Sequence, residues 1–270
     1  MLLSRRSTLV SASAIAATSL APVPSLASAL RPGLERPGAS QSIQHLVVHA
    51  DEADGQPHSV SLSLAAGDTA WISAGNIEEQ TFASASDRFA ARGYGLRRLN
   101  AFQTRGGVRY AAIWQLGRPT PSKVLYGMTL SQFQSATALY AKKGCTLAHV
   151  DAAATNSGAR FAAIWETPST SAQQIFAGLT QDDLAATRTK LATEGFRVQQ
   201  IAGYAPVGGA HFAAVFTAGD VAAQQSDTAI AASQFRLRYR AMTAQGYTLR
   251  DASGYVAGGQ PIYTAVWEKA

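Results

Sequence analysis

From about residue 79 onward, the apolar positions of this chain return at a fixed interval. Tyr110-Ala-Ala-Ile-Trp114 recurs as Phe161-Ala-Ala-Ile-Trp165, as Phe212-Ala-Ala-Val-Phe216 and as Tyr263-Thr-Ala-Val-Trp267, each time 51 residues further on. A second anchor keeps the same step: Gly93-Tyr94, Gly144-Cys145, Gly195-Phe196 and Gly246-Tyr247. Two anchors that repeat without an insertion define a tandem-repeat chain.

Within one period the pattern changes twice. Residues 79–92, 130–143, 181–194 and 232–245 have helix-forming composition. Phe82, Phe133, Leu184 and Phe235 share one register, and Phe89, Tyr140, Leu191 and Met242 share another seven residues later, on the same helical face. Thr129 with Gln132, and Thr180 with Asp183, fit the capping-box spacing. Each helix runs into the repeated glycine, the residue best suited to the left-handed conformation past a helix end.

A strand starting at Tyr94 and its equivalents follows. Then comes a Gly-rich turn, and then the aromatic–Ala–Ala–Ile/Val–Trp/Phe strand. That last strand is apolar on both faces, which predicts burial on both. Stretches 115–128, 166–179 and 217–230 read as linkers. The expected architecture is therefore α+β: four tandem 51-residue helix–β-hairpin repeats, closed into a ring or propeller-like single domain. The repeats fall at about 79–127, 128–178, 179–229 and 230–270. Strand-like segments in 43–78 are expected to cap the array, and residues 30–42, rich in Pro, Gly and Ser, read as a flexible leader.

The first 29 residues carry an address. Ser4-Arg5-Arg6-Ser7-Thr8-Leu9 is a twin-arginine pattern, a mildly apolar run follows, and Ala27-Ser28-Ala29 fits signal cleavage. The expectation is export to the periplasm or beyond, with no membrane span, because the apolar run is too short. Cleavage after Ala29 removes Arg5 and Arg6 and no acidic residue, leaving 21 basic and 17 acidic side chains. The basic residues are scattered and not interleaved with aromatics, which disfavours nucleic acid as a partner. The single cysteine, Cys145, stands in a register otherwise held by aromatics, so it reads as a core residue rather than a nucleophile.

The third and fourth periods add a further mark: Gly203-Tyr204 and Gly254-Tyr255 close the strand after the helix. Together with the aromatic-bearing helix and the Tyr-Ala-Ala-Val-Trp strand, this resembles the repeats of the non-catalytic region of polyglycine hydrolases. In those secreted proteins the repeats accompany a β-lactamase-like serine peptidase domain. The resemblance covers residues 79–270. It implies fold and secretion, not proteolysis: no lysine of this chain has a serine three residues before it, and Lys-Thr-Gly is absent.

No recognised catalytic motif or phosphate or dinucleotide fingerprint is present, so no catalytic residue, cofactor or metal is assigned. His45 and His49, with Asp51, Glu52, Asp54 and His58 nearby, lack the spacing of a defined metal motif. His149, aligned with Arg98, Gln200 and Asp251, reads as exposed, as does His211. Turn residues diverge between copies while core residues recur, which is the pattern of a recognition surface on a common scaffold. Arg105, Arg109, Asn156 and Arg160 are the candidate binding residues. The expected function is a secreted, non-enzymatic module for an extracytoplasmic protein, peptide or envelope polymer. The alternative is a secreted hydrolase or peptidase with a site assembled between repeats.

Overall fold

The computed structural model describes residues 71–167, 171–219 and 223–269. The signal, the leader and residues 43–70 of the expected cap lie outside them, as do His45, His49 and their acidic neighbours. The first unit comprises β1 (Trp71–Glu78), α1 (Glu79–Ala90), β2 (Tyr94–Thr104) and β3 (Gly107–Leu116). The second comprises β4 (Lys123–Met128), α2 (Leu130–Lys142), β5 (Thr146–Thr155) and β6 (Gly158–Glu166). The third comprises β7 (Gln173–Leu179), α3 (Gln181–Thr193), β8 (Phe196–Tyr204) and β9 (His211–Ala218). The fourth comprises β10 (Gln224–Ala231), α4 (Ala232–Ala244), β11 (Tyr247–Ala257) and β12 (Gln260–Lys269).

Each unit is a three-stranded antiparallel sheet with its helix, and the third strand lies between the first and second. This corrects two expectations. The stretches read as linkers each contain the first strand of the next unit. Residues 71–78, expected in a cap, are the first strand of unit 1. These strands are short and broken by a bulge, which Asn76, Gly127 and Gly178 form with positive φ in the first three units.

The helices form where the pattern places them. Thr129 and Thr180 make complete capping boxes with Gln132 and Asp183. Gly93, Gly144, Gly195 and Gly246 all adopt positive φ just past the helix ends. Phe82, Phe133, Leu184 and Phe235 are buried under the helices against the central strands.

The two apolar faces of the central strand have different partners. In unit 1, Tyr110, Ala112 and Trp114 pack with Phe82 under the unit's own helix. The alternate residues of unit 2, Ala162 and Ile164, pack into the core of unit 1. Ala213 and Val215 of unit 3 likewise enter the core of unit 2, and Val266 of unit 4 enters that of unit 3. Burial on both faces is thus how one unit stacks on the one before it. Aromatic rings reinforce the joints: Tyr126 meets Phe82 edge-on, Tyr204 meets Phe161 and Tyr255 meets Phe212.

The second strands carry a bulge at one register: between Leu96 and Arg98, Leu147 and His149, Val198 and Gln200, and Leu249 and Asp251. Side chains of equal register meet across units, Arg98 with His149 and Asn100 with Asp151. The second strands therefore run in the same sense at the same level. All hairpin turns emerge at one end, and the second-strand bulges lie towards the other.

Candidate functional site

Where the second strands converge, the residues after the bulge form a buried polar cluster: Arg98, His149, Gln200 and Asp251. His149 is 1% exposed and Gln200 and Asp251 are 3% exposed, which overturns the reading of His149 as a surface residue. A polar residue in one register of every repeat ordinarily faces solvent. Here that register faces its own counterparts.

Hydrogen bonds set the state of the imidazole. Its Nδ1 accepts from Gln200 Nε2 at 2.7 Å and from Arg98 Nη1 at 3.3 Å. Both are donors, so Nδ1 holds the lone pair and Nε2 carries the proton, donating to the Leu99 carbonyl at 3.2 Å. Burial, then the Arg98 charge, push the His149 pKa well below its ordinary value. Gln200 Oε1 accepts the Val150 amide at 3.0 Å, and Arg98 Nη1 donates to Asp251 Oδ1 at 2.5 Å.

A second polar layer lies two residues further on. Asp151 accepts at Oδ2 from the Ala101 amide at 2.9 Å and from Asn100 Nδ2 at 3.3 Å. At Oδ1 it accepts from Ser253 Oγ at 2.8 Å. Burial raises its pKa to about 7, although hydrogen bonds from Ser253, Ala101, Asn100 and Ala152 oppose that shift. This one carboxyl group of unit 2 thus ties units 1 and 4 to it.

Carboxamides complete the stitching at the bulges. Gln173 of unit 3 accepts the Leu147 amide at 2.9 Å and donates to the Leu147 carbonyl at 3.0 Å. Gln224 of unit 4 does the same to Val198, at 2.9 and 2.7 Å. Each side chain imitates a neighbouring strand and satisfies backbone groups that would otherwise be left unpaired. The bulge end also carries charge. Arg197 and Arg250 both bond Glu268, at 2.6 and 2.7 Å, and Arg118 pairs with Glu166.

The four residues proposed from sequence lie at the opposite end. Arg105 and Asn156 are exposed at turn tips. Arg109 pairs with Glu78 at 2.9 Å, and Arg160 bonds Ser157 Oγ of its own turn at 2.9 Å. None of the four bonds another. Sequence reasoning missed Val207, which stands fully exposed at the third turn. His211 stacks against Tyr204 beside that turn. Cys145 is half-buried against the core of unit 2. Among the described residues, no group of three or more His, Cys, Asp or Glu side chains could hold a metal ion, and no helix is long and apolar enough to cross a membrane.

Four copies of one strand–helix–hairpin unit, stitched through a shared polar centre, define a tandem structural-repeat protein. The sequence model of the polyglycine hydrolase-like structural repeat matches residues 68–115, 119–168, 170–218 and 224–270. The chain belongs to that family. The matches include the first strand of each unit, in agreement with the sheet order. No curated protein matches the chain.

Proposed function

We propose that this chain is an exported, non-catalytic repeat module whose hairpin-turn end binds a protein, a peptide or an envelope polymer. The observation that carries the reading is the division of labour between the two kinds of polar residue. His149, Gln200 and Asp151 spend their donors and acceptors on neighbouring units, away from solvent. The turns, different in every copy, project chemically varied side chains from one end: Arg105, Asn156 and Val207. Weak contacts from several turns then add on a rigid scaffold. The test is capture of envelope and culture-supernatant components on the immobilised protein. Capture should fall when Arg105, Asn156 and Val207 are replaced together by Glu. Capture unchanged by that triple replacement, or peptide turnover that disappears when His149 is replaced by Gln in a folded protein, would refute the reading.

Export rests on the twin-arginine pattern and the Ala27-Ser28-Ala29 site. Mass spectrometry of the exported product should find a start at Leu30. A full-length cytoplasmic product would refute it. The units are further proposed to close on themselves, unit 4 against unit 1. The Arg98–Asp251 pair joins these two, and Ala111 and Ile113 of unit 1 are buried on the face that units 2 to 4 turn to a preceding core. Deleting residues 224–270 should then speed amide exchange at Ala111 and Ile113. An unchanged rate would mean an open array.

A further inference from the structure

The bulge end of unit 1 gathers three guanidinium groups around too few carboxylates. Arg97 is the bulged residue of β2, half-buried between Leu96 and Arg98. Among the described residues it has neither a hydrogen bond nor an ion pair. Arg98 is committed to Asp251. Arg118 pairs through Nη2 with Glu166, but its Nε is buried with no partner. The chain at Arg118 and Pro119 is pressed onto the start of β2: a Cβ at Gly95, two residues before Arg97, would collide with both of their carbonyl oxygens. Three cations thus share two carboxylates, and one positive charge is left over. Burial, then the charges of Arg118 and Arg98, lower the Arg97 pKa against the weaker opposing pull of Glu166, which is itself paired with Arg118.

The repeat supplies an internal control. In unit 4 the register of Arg97 is held by Arg250, which pairs with Glu268 of the same unit at 2.7 Å. The residue of unit 1 in the register of Glu268 is Gln115. Unit 1 therefore keeps the guanidinium and lacks its acid. A partly buried charge without an ion-pair partner of its own opposes folding, whereas a guanidinium fork beside a free N–H suits an incoming oxygen anion.

We propose that Arg97, flanked by Arg98 and Arg118, forms a binding site for an oxyanion, the carboxylate or phosphate group of a ligand, at the end of the repeat domain opposite the turns. The site goes beyond the turn-end function and does not depend on it. Arg97 supplies the uncommitted fork, Arg118 Nε the additional donor, and Glu166 and Asp251 hold the flanking guanidinium groups in place.

The test is thermal denaturation and calorimetric titration of the purified chain with inorganic phosphate and, separately, with acetate. Ionic strength is held constant with chloride. The melting temperature should rise saturably with at least one of the two anions, and which one acts distinguishes a phosphate from a carboxylate ligand. Arg97→Gln should weaken binding by about tenfold or more, the scale of one lost charge-assisted hydrogen bond. In buffer that holds chloride but neither phosphate nor acetate, the same variant should melt at the same temperature as the parent or higher, because it removes a charge that has no ion-pair partner. A purely structural arginine would give the opposite change. Arg88→Gln, on the exposed face of α1, should bind like the parent. No saturable response to either anion, equal binding by Arg97→Gln, or a lower melting temperature for that variant without phosphate or acetate would overturn the proposal.

Discussion

Asp151 makes the stability of this protein depend on pH in a direction opposite to that of an ordinary paired carboxylate. In the folded chain it keeps its proton up to about pH 7, whereas its ordinary value is 3.8. Between those values the folded state binds more protons than the unfolded state, so stability falls as pH rises. The contribution is fully present below about pH 4 and is lost as pH passes about 7. The interval from 3.8 to about 7 corresponds to about 4 kcal/mol, with a limiting slope of about −1.4 kcal/mol per pH unit. Asp151→Asn removes the slope but not the site. The carboxamide oxygen takes the place of Oδ2 and accepts from the Ala101 amide and Asn100 Nδ2, while its NH2 group donates to Ser253 Oγ, so the neutral side chain keeps these hydrogen bonds. The variant should match the parent near pH 5 and be more stable than it by about 2–3 kcal/mol at pH 8. Urea unfolding followed by Trp fluorescence at a series of pH values measures both profiles. Parallel profiles for parent and variant would show that Asp151 does not titrate across this range and would refute the reasoning.

Three further perturbations probe other levels of the structure. Trp165→Ala should destabilise by about 3–5 kcal/mol in denaturant melts, because the indole is 1% exposed between Phe133 and Tyr140. A loss under 1 kcal/mol would contradict its burial. His149→Gln should cost less than His149→Leu by at least about 2 kcal/mol, since Gln keeps an acceptor for Gln200 and a donor for Leu99 while Leu strands both. Because the folded imidazole resists protonation, its own contribution to stability shrinks as pH falls below the ordinary value of 6.5 and opposes that of Asp151, so the stability difference between the parent and His149→Gln should narrow there. Thr180→Ala should cost about 1 kcal/mol by removing the Asp183 capping box, read as a lower urea midpoint with an unchanged slope.

The helices, the second strands and the central strands were legible because their residues recur at a constant interval and perform the same task in each unit. Trp114, Trp165, Phe216 and Trp267 all fill the same place under a helix. The first strands were not legible, for a physical reason. They lie at the sheet edge, bury only part of one face and are interrupted by a bulge, so their equivalent residues keep neither size nor charge: Ala74, Leu125 and Phe176 differ widely in volume and Asp227 is acidic. Short apolar runs, Val124-Leu125-Tyr126 and Ile175-Phe176-Ala177, were their trace in the second and third units. The buried centre was misread because polarity was equated with exposure. Its signal was present in a subtler form: Arg98, His149, Gln200 and Asp251 are complementary donors and acceptors in one register, with Asn100, Asp151 and Ser253 two residues later. The turn-end candidates were placed on turns and strand starts by the same periodicity, but sequence could not show that Arg109 and Arg160 are held by local partners.

That centre also supplies what the apolar core cannot. Nearly interchangeable aromatic and aliphatic anchors would let any unit stack on any other, so core packing alone does not encode the order of the array. The residues after the bulge do differ between units. Arginine only donates, aspartate only accepts, and neutral histidine and glutamine do both. His149 donates backward to Leu99 and accepts forward from Gln200, while Gln200 accepts backward from Val150. Arg98 and Asp251, at the two ends of the series, are the pair that satisfy each other by charge. A permuted order would place donor against donor in a buried site, with several unmet hydrogen bonds at about 1–3 kcal/mol each. The polar positions that diverge between repeats are therefore part of the folding code: identical residues build each unit, and complementary ones determine which unit lies beside which.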